Sequence, residues 1–160
     1  MATLSHDERR RMPYSAEQMY DLVAAIDRYP QFLPWLSGAR LARRVNGAEH
    51  WELLIGFKML RERFLSEVIF EPKRRINARY LDGPLKHLTT NWTFQPVEGG
   101  CEIDFQVEFE FKSRLLGRII EVFFNEAIVM MTNAFESRAR ALYGIAGVAA
   151  TARAVEAQKP

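Results

Sequence analysis

One cysteine, Cys101, stands in a chain of 160 residues, so no internal disulfide can form and packing must hold the fold. No stretch approaches the ~20 consecutive apolar residues of a membrane-spanning helix. The opening segment, Met1 to Arg11, lacks an apolar core and carries Asp7 and Glu8. Neither a secretory signal nor an organelle transit peptide is therefore expected there. Charge of one sign is not in excess either. The 22 basic and 20 acidic side chains leave a formal charge of +2, without the basic stripe of a dedicated nucleic-acid binder, so no DNA partner is expected. The three histidines, His6, His50 and His87, have no carboxylate or cysteine at ligand spacing, so no metal is expected. A catalytic set is also missing. Ser37 and Ser66 sit in no nucleophile elbow, and Cys101 reads as a small residue beside a hairpin rather than a nucleophile. Gly99-Gly100 reads as a turn and not a phosphate cradle. His87 reads as a strand-start residue that pins a turn.

What the chain does contain is large apolar residues in register. A chain this long fits one domain that buries roughly 70% of its unfolded surface; 11 phenylalanines supply much of the core. Leu4 to Met12 reads as an edge strand with Arg9-Arg10-Arg11 partly solvated. Ser15 and Gln18 form a capping box, and Met19, Leu22, Val23 and Ile26 follow at helical spacing, which predicts a helix over Ala16 to Ile26. Pro30 can open a second short helix, limited by Pro34. From Ala39 the period becomes two. Leu41 to Val45 leads into Asn46-Gly47, the strongest short hairpin signal. Trp51, Leu53, Ile55, Phe57 and Met59 alternate, then Phe64, Ser66, Val68 and Phe70, then Ile76, Ala78 and Tyr80. Leu88, Thr90, Trp92 and Phe94 share one face. Ile103, Phe105, Val107, Phe109 and Phe111 share another against five polar residues, the mark of a sheet covered on one side. The helical period returns over about Leu115 to Leu142, roughly 40 Å of helix. The fold class is α+β: a curved antiparallel sheet of about seven strands around a long C-terminal helix, with two short helices after the first strand. Residues 1–144 form the domain and 145–160 are expected to be a poorly ordered tail.

These residues resemble a known family. The order of elements is similar to the helix-grip fold of START-like lipid-binding domains. Tyr14 to Val23, Tyr29 to Trp35, Gly83 to Leu88 with Asn91-Trp92-Thr93-Phe94, and Phe109 to Gly117 look like motifs of the coenzyme Q-binding START family, in colinear order over Ser5 to Tyr143. The resemblance implies binding of ubiquinone or another isoprenoid lipid and a carrier or chaperone role in respiratory electron transport, with no catalytic cofactor and no enzyme activity. Bacterial members resemble a ribosome association toxin, which implies a second reading, translation inhibition through the large ribosomal subunit. Polyketide cyclase/dehydrase proteins share the fold and imply a third; such enzymes use scattered polar groups that leave no motif. A bacterial cytoplasmic protein, peripheral at the inner membrane, is the expected setting.

An isoprenoid tail offers no hydrogen-bonding group, so affinity must come from buried apolar area. Burying about 300 Å2 contributes roughly 7 kcal/mol before association costs. The expected sheet wall is Phe57, Phe64, Val68, Phe70, Tyr80, Trp92, Phe94, Phe105 and Phe109, with the Tyr80 hydroxyl and Trp92 indole as donors to ring carbonyls. The expected helix wall is Ile120, Phe123, Phe124 and Met131. Phe32, Trp35 and Leu36 are expected at a membrane-facing mouth. The competing reading of all these residues is ordinary core packing. The basic groups Arg9 to Arg11, Arg43-Arg44, Arg61 with Arg63, and Lys73 to Arg75 read either as sites for lipid or RNA phosphates or as solvated strand ends.

Overall fold

The computed structural model describes residues 3–58 and 60–144. Met59 and the tail expected over 145–160 lie outside the described residues. Local chemistry sets most boundaries. Asn46 and Gly47 take φ of 51° and 82°, the pair of positive angles that a two-residue hairpin requires. They join β2 (Leu36–Val45) to β3 (Ala48–Phe57). The Ser15 capping box forms as read: Gln18 N–H donates to Ser15 Oγ and Ser15 N–H to Gln18 Oε1, both at 3.0 Å. It opens α1 (Ala16–Ala24).

Three boundaries before β3 differ from expectation, and β6 and β7 begin three residues early, at Leu85 and Gly100. α1 ends at Ala24, because Ala25 leaves the helical region with ψ of 65°. The second short helix is a 3-10 helix over Ile26–Gln31 with Pro30 inside it, not one that Pro30 opens. β2 begins at Leu36, five residues early, because Leu36 pairs with Ile55. Pairing to β3 claims this residue once Pro34 has ended the helical segment.

The remaining strands are β1 (Leu4–Met12), β4 (Leu60–Glu71), β5 (Arg75–Asp82), β6 (Leu85–Val97) and β7 (Gly100–Phe111). They form one antiparallel sheet in the order β1-β7-β6-β5-β4-β3-β2. β1 and β2 are its edges. Register shifts at Leu36/Gly38, Leu41/Arg43, Leu65/Ser66 and Leu85/His87 are the bulges that bend a sheet. At Gly100, a Cβ would lie 1.9 Å from the Met12 carbonyl oxygen, so only glycine lets β1 dock beside the start of β7.

α2 (Arg114–Tyr143) is capped by Ser113, whose hydroxyl accepts from Leu116 N–H at 3.2 Å. It lies along the concave face. Two apolar clusters tie it down. At its C-terminal end, Phe135 and Ala139 pack with α1 residues Met19, Leu22 and Val23 and with Val68, Phe94 and Ile103 of the sheet. At its N-terminal end, Ile120 packs with Phe57, Leu60, Phe64, Leu85 and Phe111.

Candidate functional site: an apolar hollow between sheet and helix

Beside the N-terminal cluster and along the middle turns of α2 the helix and the sheet do not close on each other. Of the 30 residues of α2, the buried ones are Ile120, Phe135 and Ala139. The apolar residues of the middle turns, Phe123, Phe124, Ala127, Ile128, Met130 and Met131, are only half-buried. A close-packed interior leaves few voids larger than a water molecule. Here a cavity of about 250 Å3 opens to the surface. Its sheet wall is built from Ile55 and Phe57 of β3, Leu60 and Phe64 of β4, Leu85, Leu88 and Thr90 of β6, and Phe105, Val107, Phe109 and Phe111 of β7. Ile120, Phe124, Ala127, Ile128 and Met131 form the helix wall, and Trp35 lines the cavity from the segment before β2. Alternation puts these residues on one face of their strands, and helical spacing puts the others on one side of α2.

At one rim the β3–β4 turn meets α2. The Trp35 and Phe57 rings meet edge to face at 6.4 Å, and Phe57 meets Phe123 in the same way at 6.5 Å. Lys58 holds its ammonium 4.7 Å from the Phe123 ring centroid and 3.1 Å from Glu126 Oε1.

Of the residues expected on the walls, seven line this cavity: Phe57, Phe64, Phe105, Phe109, Ile120, Phe124 and Met131. Six do not. Val68 and Phe94 are buried beneath α1, where the Tyr20 ring lies 5.7 Å from Phe94. Phe70 packs on the same cluster. Tyr80 stands edge-on to Phe64, and its hydroxyl accepts the Leu85 backbone N–H at 3.1 Å. Phe123 belongs to the rim. Trp92 packs at a tilt against Phe105 and Phe135, with ring centroids 4.3 and 5.4 Å apart, and lines a second, smaller hollow of about 50 Å3. For Val68, Phe70, Trp92 and Phe94 the reason is the α1 cluster, which fills the end of the sheet where these side chains were expected to face a ligand.

The expected mouth is corrected as well. Trp35 lies at the cavity. Leu36 is buried in the α1 cluster. Phe32 packs on Tyr29 and Phe135 at 5.8 and 5.3 Å beneath the Arg138 guanidinium, anchoring the 3-10 helix to α2.

The sequence reading missed Ile55, Leu60, Leu85, Leu88, Thr90, Val107, Phe111, Ala127 and Ile128. Several were legible by parity, since Ile55 shares a face with Phe57 and Val107 sits between Phe105 and Phe109. It also missed a polar group on the same face. β1 pairs with β7 so that His6, Glu8 and Arg10 stand opposite Val107, Phe105 and Ile103. Arg10 therefore faces inward, not into solvent as read from the Arg9-Arg10-Arg11 run. Its guanidinium donates to Glu136 of α2 and to Glu8 Oε1, the latter at 2.8 Å.

Cys101 is fully buried, and burial pushes its thiol up to about 11, so the thiolate needed for nucleophilic attack is scarce near neutral pH. His87 Nε2 lies 3.4 Å from Glu108 Oε1. Among the described residues, no three or more His, Cys, Asp or Glu side chains cluster as a metal site. No helix among them is long and apolar enough to cross a membrane. Several of the basic groups are paired: Arg9 with Asp104 at 3.4 Å, Arg44 with Glu49 at 3.2 Å, Arg63 with Glu52 at 3.2 Å, and Lys73 with Asp21.

Residues 12–136 match the family described as polyketide cyclase/dehydrase and lipid transport. A mitochondrial coenzyme Q-binding protein (homolog B) of Xenopus laevis is 38% identical over 146 residues, covering 88% of this chain and 60% of that protein. The chain thus spans under two thirds of that relative's length. The ribosome association toxin RatA of Rickettsia prowazekii is 35% identical over 141 residues, covering 86% of this chain and 97% of the toxin. Among solved structures, an 18 kDa protein of Caulobacter crescentus superposes with a TM-score of 0.74 at 34% identity, covering 89% of this chain and 99% of that one. A Streptomyces aromatase/cyclase superposes with a TM-score of 0.76 at 14% identity, covering 90% and 100%, a likeness of fold.

Proposed function

Because the chain belongs to the START-like polyketide cyclase/dehydrase and lipid transport family, we propose that it uses its hollow to hold ubiquinone or a similar prenylated quinone as a non-catalytic carrier. The observation that carries this reading is the apolar cavity of about 250 Å3 between α2 and the sheet. Thr90 is the one aliphatic hydroxyl on its wall. Such a surface rewards a molecule made mostly of hydrocarbon. Similarity to the Xenopus coenzyme Q-binding protein supports the choice of quinone.

Size limits how the molecule sits. Sites that enclose a drug-sized ligand hold roughly 300–1,000 Å3. This hollow takes the ring and the first isoprene units, and the rest of a long tail leaves through the opening beside Trp35. The emerging tail favours delivery at a bilayer surface, which makes peripheral membrane contact part of the proposal.

Organic extraction of protein purified from a quinone-making host, followed by mass spectrometry, tests it. Prenylated quinone is expected in the extract at a sizeable fraction of the protein concentration. An extract free of prenyl lipids, from protein that also fails to take up added quinone, overturns the reading.

Similarity to the ribosome association toxin favours a second reading, binding to the large ribosomal subunit. The carboxylate pairing of Arg9, Arg44, Arg63 and Lys73 leaves those groups less available to RNA phosphates. Co-sedimentation with isolated large subunits, undiminished at 200 mM salt, would favour this reading over the carrier.

A further inference from the structure

β1 is an edge strand, yet three consecutive inward positions on it are polar: His6, Glu8 and Arg10. They stand on the face that α2 covers, with side chains 29%, 26% and 35% exposed. Arg10 is held by Glu8 and by Glu136. His6 Nε2 lies 3.6 Å from Glu8 Oε2, beyond hydrogen-bond reach, and is a buried nitrogen without a partner. The surroundings are Trp92, Phe105, Met131 and Phe135, which with Glu8, Arg10 and Glu136 line the smaller hollow of about 50 Å3. Two of these side chains, Phe105 and Met131, also wall the larger cavity. The polar group therefore stands one side chain away from the proposed quinone site.

Stability does not explain this arrangement. A partly desolvated ion pair among aromatic rings is weak evidence of stabilisation, since apolar residues of similar volume often hold such a place as well or better. The group is also incompletely satisfied, with one guanidinium between two carboxylates and a histidine nitrogen left over. Unspent hydrogen-bonding capacity beside an apolar cavity is what orients a ligand that is greasy over most of its surface and polar at one end.

Resting on the carrier reading above, the geometry points to Glu8, Arg10 and Glu136 as the subsite for the oxygenated ring of the bound prenyl quinone. The ring lies in the larger cavity. Its oxygens reach the guanidinium where Met131, unbranched and adaptable, turns aside. Arg10 donates to a ring carbonyl oxygen. Glu8 and Glu136 accept from a ring hydroxyl when the ring is in its hydroquinone form. The tail makes no use of the group and runs toward Trp35.

The test separates ring from tail. Binding of a short-tail quinone and of an isoprenoid alcohol of equal tail length is measured by isothermal titration calorimetry, in the wild type and in the double variant Arg10→Met with Glu136→Leu. Of the three charges only Glu8 then remains, and its side chain, 26% exposed, is left to water. The quinone is expected to bind the double variant at least tenfold more weakly, while the alcohol binds within twofold of wild type. Arg10→Lys, which keeps a donor, is expected to recover part of the quinone affinity. An unchanged quinone affinity in the double variant overturns the subsite and leaves the carrier reading standing. Failure of the wild type to bind either molecule overturns the carrier reading and the subsite with it. Should the double variant not fold, the wild-type preference for quinone over alcohol decides, and a ratio near one overturns the subsite.

Discussion

Ala127→Phe is expected to abolish quinone binding while the protein stays folded. Ala127 lies in the middle of α2, half-buried, with its methyl group on the wall of the cavity. In a filled core, a change from Ala to Phe forces side chains off their rotamers and costs about 1–3 kcal/mol. Here the ring enters space that no protein atom occupies and gains dispersion contacts there. The melting temperature should therefore hold or rise. The same ring takes the volume a ligand needs, so the affinity for a short-tail quinone should fall at least tenfold. Equal affinity in the variant would place the ligand elsewhere. A large drop in melting temperature would mean that the hollow is closed in solution.

Phe135→Ala is expected to have the largest effect on stability of any single truncation on α2, and Phe124→Ala a small one. The two residues lie on the same helix, and a sequence pattern does not distinguish them. Phe135 is buried and meets Tyr29, Phe32 and Trp92 at ring separations of 5.6, 5.3 and 5.4 Å. It joins the 3-10 helix, α2 and the sheet. Truncation there removes about 3–5 kcal/mol, a fall in melting temperature of about 10 °C or more for a chain of this size. Phe124 faces the cavity and is only half-buried, with Phe109 at 5.7 Å. Much of its surface already lacks protein partners, so truncation costs about 1 kcal/mol. Chemical denaturation of both variants measures the contrast. Equal losses would mean that the two ends of α2 are packed alike.

The local chemistry of this chain was legible because it depends on neighbours in sequence. Asn46-Gly47, the Ser15 capping box and the alternation from Ile103 to Phe111 each specify their own geometry. The span of α2 follows from its helical period to within one residue at each end. Alternation also identifies the face a residue occupies, which is why Phe57, Phe64, Phe105 and Phe109 do line the cavity, as Ile120, Phe124 and Met131 do by helical spacing. It says nothing of how far along that face a residue sits from the helix that will cover it. Val68 and Phe94 share the concave face with Phe64 and Phe105, yet α1 lands on the former pair. Where α1 lands is a tertiary outcome of packing Met19, Leu22 and Val23.

The edge strand shows the same limit from the polar side. In Arg9-Arg10-Arg11 the three charges look alike. Only the register that sets Arg10 opposite Ile103 turns one of them inward. Leu36, read as part of a mouth, is drawn into the sheet by its pairing with Ile55. In each case the deciding partner is distant in sequence, and no local signal announces it.

Methyl NMR of the protein with a short-tail quinone tests the central claim most directly, because α2 carries its own control. Ala127, Ile128 and Met131 face the hollow, whereas Val122 and Val129 of the same helix are 76% and 56% exposed. Cross-relaxation between quinone protons and the methyls of Ala127, Ile128 and Met131, with none to Val122 or Val129, is the predicted result. Contacts confined to Val122 and Val129, or saturating quinone that leaves the three inner methyls undisturbed, would contradict it.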